Sequence, residues 1–515
     1  FNGTVTISGD TTLEDGADLI TATAGTSNFR AGVNAGNSIQ SGGNFNVTVG
    51  DEAGTAISTG DNNTFVGYAS GDAVTTGTES VAIGSNSLSA AVGSDKNTAL
   101  GAYALRNDTE GEQSVAVGHQ ALNAQNFATA TSAYNVAVGA NAGVSVTTGT
   151  NNVLIGGLAG DAITDADFNI GIGGQALGGN TVGSNSVAVG HAALLVQNPA
   201  TATDMFNTAV GHAAGLNVTT GIYNTFLGGL AGDAQTTASN NTFLGFQTGS
   251  AVNTGRKNTF VGSTAGASLT SSDFNVAVGA DALTADTLGS KSVGVGTGAL
   301  AAQNFTTATD TLNTAVGNNA GLSITTGFSN TLIGGAAGDA LTDADQNVAL
   351  GTNALASDTL GSRSTAIGEG ALLFQNFSTA TNSLNTALGY QAGLAISTGI
   401  QNTLLGANAG DALTDTDFNV AVGVAALGTD TKGERSTALG YGALSVQNFS
   451  TATITYNVAV GYLSGERITT GQQNTLIGYG TGGDLTDADF NTVVGNNALV
   501  TDTLGSKSVA IGTQA

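Results

Sequence analysis

The chain has 515 residues, including 78 glycines, one proline, one methionine and no cysteine or tryptophan. A single proline excludes collagen, a hydrophobic content of 40% is too high for a disordered chain, and the lack of cysteine excludes disulfides and thiolate sites. The net charge of −26, with 11 Lys and Arg against 37 Asp and Glu, disfavours nucleic acid and anionic lipid as partners.

The N-terminal segment, residues 1–30, stands outside any repeat. It alternates short apolar stretches with Gly and Asp turns, as in FNGTVTISGD. We expect a small β cap, or the end of a preceding shaft, over residues 1–30 and a continuous repeat domain over residues 31–515. Because the sequence stops at Ala515 directly after a repeat, we also expect it to continue into more chain or another subunit.

From residue 46 onward one pentapeptide recurs: Asn or Ser, three strand-forming positions, then a glycine that we call the landmark glycine. It reads NTFVG at Gly67 and SVAIG at Gly84, and its copies follow in 17-residue or 21-residue steps up to Gly512. Gly317, Gly389 and Gly461 are equally spaced, and each interval consists of one 21-residue step and three 17-residue steps. This indicates duplication of a four-coil unit. Fixed spacing of this kind predicts an all-β parallel β-solenoid with 17-residue and 21-residue coils.

Each position in a coil has a predicted role. The Val, Leu or Ile before the landmark glycine, such as Val66 or Leu100, suits a buried strand position. The Asn or Ser four residues before the glycine predicts a hydrogen-bonded ladder of stacked side chains, with no catalytic role. The repeat residues that represent this ladder and its glycines are Asn135, Gly139, Asn152, Gly156, Asn207, Gly211, Asn313, Gly317, Asn385, Gly389, Asn457 and Gly461.

Paired aspartates recur in Thr-Asp-x-Asp turns. One interpretation is a weak Ca²⁺ site built from carboxylate oxygens. The other, which the sequence favours because no dense Gly-Gly-x-Gly-x-Asp repeat is present, is a solvated turn in which Asp accepts backbone N–H bonds. The pairs are Asp165 and Asp167, Asp343 and Asp345, Asp415 and Asp417, and Asp487 and Asp489.

The 21-residue coils insert a Gln-Asn-Phe-x-Thr-Ala-Thr segment, in which Pro199 replaces Phe in the second copy. The phenylalanines Phe127, Phe305, Phe377 and Phe449 are candidate contacts for a receptor or glycan. The alternative, favoured because identical repeats serve architecture first, is that each ring holds its loop to the neighbouring coil. Three histidines without cysteine, and no nucleophile–His–acid set, predict no metal, no cofactor and no enzymatic activity.

The segments NSVAVGHAAL, NTALGYQAGL and NTAVGHAAG resemble the head repeats of YadA-like trimeric autotransporter adhesins and 17-residue repeats of phage tail-fibre-type proteins. The resemblance covers roughly residues 46–515, and these coils are longer than those of the adhesin heads. It implies a left-handed parallel β-roll in an intertwined or side-by-side homotrimeric rod, located outside the cell on a virion or bacterial surface. The implied partners are further copies of the chain and a host surface glycan or protein receptor.

The sequence therefore predicts an attachment fibre that displays loops for adhesion. A structural filament or sheath subunit, polymerised end to end, stays open as an alternative. An ice-binding solenoid would need a regular Thr-x-Thr array, which occurs in the long loops but not in every coil, and a polysaccharide-cleaving β-helix would need wider coils and clustered carboxylates. No apolar run reaches the length of a membrane-spanning helix, so we expect no membrane insertion by this chain.

Overall fold

The computed structural model describes residues 23–515. It divides into two compact units, one ending at Ile222 and one beginning at Tyr223. The described residues form a parallel β-solenoid of about 28 turns without any helix. This confirms the predicted fold class. The predicted cap over residues 1–30 lies mostly outside the described residues, and the first strand already spans residue 30.

Each turn of the first unit contributes one three-residue strand, and each 21-residue coil adds a two-residue pairing. Neighbouring strands are parallel and in register, as Val136 pairs with Val153 and Val153 with Ile170. The strands are β1 Phe29–Ala31, β2 Val47–Val49, β3 Thr64–Val66, β4 Val81–Ile83, β5 Thr98–Leu100, β6 Gly111–Glu112, β7 Val115–Val117, β8 Thr131–Ser132, β9 Val136–Val138, β10 Val153–Ile155, β11 Ile170–Ile172, β12 Gly183–Ser184, β13 Val187–Val189, β14 Thr203–Asp204 and β15 Thr208–Val210.

The second unit repeats this plan, with Thr386 paired to Thr403 in the same register. Its strands are β16 Thr225–Leu227, β17 Thr242–Leu244, β18 Thr259–Val261, β19 Val276–Val278, β20 Gly289–Ser290, β21 Val293–Val295, β22 Thr309–Asp310, β23 Thr314–Val316, β24 Thr331–Ile333, β25 Val348–Leu350, β26 Gly361–Ser362, β27 Thr365–Ile367, β28 Thr381–Asn382, β29 Thr386–Leu388, β30 Thr403–Leu405, β31 Val420–Val422, β32 Gly433–Glu434, β33 Thr437–Leu439, β34 Thr453–Ile454, β35 Val458–Val460, β36 Thr475–Ile477, β37 Thr492–Val494 and β38 Val509–Ile511.

The core is built from the middle residue of each strand. Successive side chains on a strand point to opposite faces, so a three-residue strand buries one side chain and turns two outward. Phe243 and Phe260 occupy this middle position, are fully buried, and stack with ring centroids 4.9 Å apart. A small residue three positions after the landmark glycine, such as Ala104, is also fully buried, because two walls of the coil meet there.

The landmark glycine is required by close backbone approach. Gly139 has φ of 137°, and a Cβ on it would lie 2.5 Å from the carbonyl oxygen of Gly156 in the next coil. Real Cβ atoms do not come that close to a carbonyl oxygen, and L residues rarely adopt this backbone conformation.

The asparagine row forms the predicted ladder. The Asn135 side chain accepts a hydrogen bond from the Asn152 backbone N–H at 2.9 Å and donates one to the Gly149 carbonyl at 2.7 Å. Asn152 in turn donates to Ala166 at 2.8 Å. Each buried amide thus satisfies backbone groups of the next coil, which holds the coils in register.

Candidate interaction surfaces

The paired aspartates act as turn caps. The second member of each pair accepts a backbone N–H from the preceding coil, as Asp167 does from Thr150 at 2.6 Å and Asp489 from Gln472 at 2.7 Å. Asp345 and Asp417 bond Phe328 and Ile400 in the same way. The geometry is that of the solvated-turn interpretation.

The first members of the pairs bond side chains. Asp165 and Asp487 accept from a neighbouring threonine hydroxyl, Asp343 from Thr326, and Asp415 from the Lys432 ammonium at 2.6 Å. This ammonium holds the pKa of Asp415 below its ordinary value. Among the described residues, no group of three His, Asp or Glu side chains is placed to hold a metal ion.

The loop phenylalanines are buried rather than presented. Phe127, Phe305, Phe377 and Phe449 are only 5–6% exposed. A threonine from the preceding coil holds the backbone of each loop, as Thr287 Oγ1 donates to the Phe305 carbonyl at 2.8 Å. Buried rings offer no face to a receptor, so the structure supports the alternative in which each ring fastens its own loop.

Beside each of these rings lies a buried polar network that the sequence interpretation missed. Gln303 Nε2 donates to Asp286 Oδ2 at 2.5 Å and to Ser292 Oγ at 2.9 Å, and Gln303 Oε1 accepts from Asn313 at 2.9 Å. Asp286 Oδ1 accepts the backbone N–H groups of Gly289 and Phe305 at 3.0 and 3.1 Å. The network joins the 21-residue coil to the coils on both sides.

The carboxylates of these networks are shielded from water. Burial raises the pKa of Asp108, Asp286 and Asp430 above the ordinary value, against the opposing effect of hydrogen bonds from Gln125, Gln303 and Gln447 respectively. Desolvation inside the coil is the main cause of this shift, and a substrate-binding cleft is not required to produce it. We therefore interpret these carboxylates as structural.

The second 21-residue coil carries a different version of the network. Asn180 stands where the other copies have Asp, and Pro199 stands where they have Phe. Proline has no backbone N–H, so the donor that Phe305 gives to Asp286 is missing here. Asn180 needs fewer donors: its oxygen accepts from Gly183 N–H at 3.0 Å and its amide donates to the Gly183 carbonyl at 2.7 Å.

A sequence signal for the network was present. In every 21-residue coil the ladder position is Ser, as at Ser292, and a Gln follows eleven positions later, as at Gln303. The smaller serine leaves room for the glutamine amide, which hydrogen-bonds the next ladder asparagine. Such a network can be recognised where Ser replaces Asn at the ladder position and, in the same coil, Gln replaces an apolar residue at a core position.

The prediction that the residue before the landmark glycine is buried is wrong. Val66 and Val117 are half-buried, and Ile83 and Leu100 are 37% and 43% exposed. The last residue of each strand points outward, because only the middle residue faces the core. From Val49 to Ile511 this outward position is always Val, Ile or Leu, and we call it the aliphatic row. The first strand residue, Thr or Val in most coils, points outward beside it.

A second exposed row lies one residue before the ladder position, and we call it the corner row. Its non-glycine residues adopt left-handed backbone angles, such as φ of 62° at Phe418 and 60° at Arg435. In the second unit it includes the exposed rings of Phe274, Phe418, Tyr456 and Phe490.

Other exposed rings lie just after the landmark glycines. Tyr441, Tyr462 and Tyr479 stack on consecutive coils of the second unit with centroids 5.2 and 5.6 Å apart. His191 and His212 stack similarly in the first unit at 5.4 Å. These ladders follow from the coil register, which places the same position of successive coils side by side.

No family model matches the chain, and no curated protein matches its sequence significantly. The described residues include no helix that could span a membrane.

Proposed function

We propose that the chain is the shaft of an extracellular attachment fibre, a phage tail fibre or bacterial adhesin, in which three copies associate through their aliphatic rows. The observation that carries the proposal is the composition of this row. From β2 onward it places Val, Ile or Leu at the outward-facing end of each three-residue strand, with Leu388 and Leu405 each 42% exposed. Large continuous apolar surfaces mark interaction sites in soluble proteins.

A second copy of the chain is the partner that fits this row best. The row follows the uneven succession of 17- and 21-residue coils, and another copy repeats that succession in the same order. The chain carries a net charge of −26, so copies repel one another overall, and burial of the uncharged aliphatic row is a contact that offsets this repulsion. The proposal assigns a structural and adhesive role to the chain and no catalytic role.

End-to-end polymerisation into a filament or sheath is the second candidate. Ice binding receives no support, because no described three-residue strand has Thr at both its first and its third position, as a regular threonine array requires.

The native mass tests the proposal. Light scattering after size exclusion should give three times the chain mass of 50.2 kDa. A concentration-independent monomer would contradict association through the aliphatic row. Very large species that grow with concentration would support the filament instead.

A variant locates the interface. Leu388→Lys combined with Leu405→Lys places two charges on the aliphatic row and should convert the trimer to monomer while the β-sheet circular dichroism is retained. Phe374→Lys is the matched control, because Phe374 is 54% exposed but lies outside the row. A trimer that survives the double substitution would place the interface elsewhere.

A further inference from the structure

The corner row of the second unit is built against its own backbone preference. A left-handed conformation costs a non-glycine residue about 1 kcal/mol or more, and Asn tolerates it best among residues with a side chain. The first unit uses Asn at several corner positions, including Asn62, Asn151 and Asn185. Aromatic residues also stand at this position in both units: Phe168 does so in the first with φ of 58°, and Phe418 and Tyr456 do so in the second with φ of 62° and 51°.

Burial does not offset this strain. Leu283 also has a left-handed φ of 52°, but it is fully buried in the core, so its packing compensates for its conformation. Phe418 and Tyr456 are 43% and 51% exposed and receive no such compensation. Strained residues that the fold does not need are expected where a surface has a binding role.

Cations are concentrated in the same row. In a chain with 11 Lys and Arg, the second-unit corner row holds five of them: Lys257, Lys291, Arg363, Arg435 and Lys507. The Lys257 ammonium lies 5.0 Å from the Phe274 ring centroid, and the Arg435 guanidinium lies 5.4 Å from that of Phe418 and 5.8 Å from that of Tyr456. These cation–π contacts favour the observed positions of the charged groups.

The Arg435 guanidinium is available to a ligand. It donates to the Tyr456 hydroxyl at 2.9 Å, and within the described residues it forms no ion pair with a carboxylate. Among the corner-row cations, Lys291 does pair with Asp310. In a protein with 37 acidic residues, a guanidinium held between two rings without a carboxylate partner is arranged for an anion from outside.

We propose that the corner row of the second unit binds a linear acidic polysaccharide, with carboxylate or sulfate groups on Arg435 and Lys257 and sugar rings against the neighbouring aromatic side chains. Arg donors suit both anions in bidentate geometry. The coils rise about 4.8 Å each, so side chains of successive coils are spaced closely enough for neighbouring sugars of one extended chain. The inference rests on the proposed attachment function and names the chemistry of its receptor.

Binding of the full chain to three immobilised polymers tests this proposal: polygalacturonate, heparin and neutral dextran. We expect saturable binding to polygalacturonate, heparin or both, which weakens as salt rises, and none to dextran. The two acidic polymers separate recognition of carboxylate from recognition of sulfate. Equal binding of dextran, or binding to none of the three, would overturn the proposal.

Substitutions taken from other coils of the same chain refine the test. Arg435→Gln together with Lys257→Gln removes two cations from the row and should weaken binding at least tenfold. The fold should tolerate both changes, because Gln already occupies corner positions at Gln401 and Gln473. Arg467→Gln is the control, since Arg467 is exposed in the same unit but lies off the row and pairs with Asp484. If the double variant and the control weaken binding equally, net charge alone explains the binding and the corner row is not the binding site.

The aromatic contribution has its own variant. Phe418→Asn combined with Tyr456→Asn should weaken binding and, by relieving strain, leave the melting temperature unchanged or higher. Tyr441→Asn, on the neighbouring exposed stack, should leave binding unchanged. Native mass measured on each sample separates the two proposals: a trimer that binds no acidic polymer refutes the ligand and leaves the fibre intact, whereas a monomer refutes the fibre.

Discussion

Four of the five 21-residue coils place a buried carboxylate beside a phenylalanine, whereas the second places a buried amide beside a proline. In the third coil Asp286 receives hydrogen bonds from Gln303, Gly289 and Phe305. In the second, the Asn180 side chain exchanges hydrogen bonds with the Gly183 backbone, and Gln197 bonds Ser186 and Asn207. The change from Asp to Asn and the change from Phe to Pro occur together because a buried carboxylate requires more donors than a buried amide, and proline removes one N–H donor.

This comparison shows how the fold accommodates variation at a buried site. A charge inside the coil is tolerated only where the backbone and a neighbouring side chain supply donors. Where one donor is lost, the charge is absent too. The pairing is visible within one chain, so the separate contributions can be measured by exchanging the two versions.

The largest effect is expected from Phe305→Pro. It removes a buried ring and the N–H that Asp286 accepts, and we expect it to lower the free energy of unfolding by about 3–5 kcal/mol. Adding Asp286→Asn recreates the second-coil pairing and should recover about 1 kcal/mol of that loss. Peptide-resolved amide hydrogen exchange of the surrounding coils measures this local stability.

Phe305→Ala is the matched control, because alanine keeps the N–H while losing the ring. Adding Asp286→Asn to it should recover nothing. If the two double variants behave alike, the missing N–H is not the reason that Asn180 and Pro199 occur together.

A smaller effect is expected at the glutamines. Gln303→Ala removes a donor from the buried Asp286 carboxylate and should lower the free energy of unfolding by about 3 kcal/mol. Gln197→Ala removes the same side chain beside the neutral Asn180, so its effect should be about 1–2 kcal/mol. Thermal unfolding of both variants ranks them, and an equal loss would show that the carboxylate adds nothing to the role of glutamine.

The sequence predicted the fold well because the fold depends on a short repeating code. Landmark glycines such as Gly139 and ladder residues such as Asn135 occupy positions that only one or two residue types satisfy, so their spacing determines coil length and register. Which side chains of each strand face the core was harder to predict. Val66 and Leu100 were expected inside, because an aliphatic residue in a strand was equated with burial, although a three-residue strand buries only its middle position.

The candidate sites were predicted less well, for a related reason. Phe127 and its equivalents were considered as receptor contacts because aromatic and amide side chains suit sugars. The favoured alternative, that each ring holds its own loop, agrees with their burial. Asp286 stands at a core position of the repeat, seven residues after Gly279, but its partner Gln303 is a full coil away and becomes its neighbour only through stacking. Corner residues such as Arg435 and Phe418 are likewise separated by a coil in the sequence.

The smallest effect, and the one that isolates charge, is the pH dependence of Asp286. Its pKa is raised by burial, so the folded chain keeps this proton at pH values where the unfolded chain, with an ordinary carboxyl pKa near 3.8, has lost it. Its contribution to stability is therefore most favourable below about pH 3.8, declines as pH rises through the raised pKa, and is constant above it. Asp286→Asn removes this dependence, so the melting temperature of the variant relative to the wild type should rise over that window and then level off. Asn180→Asp should do the reverse: beside Pro199, which donates no N–H, a new carboxylate should destabilise the chain at neutral pH and do so least in acid. If the difference in melting temperature from the wild type does not depend on pH for either variant, both carboxyl positions are solvated. The two versions of the coil would then differ in shape rather than in charge.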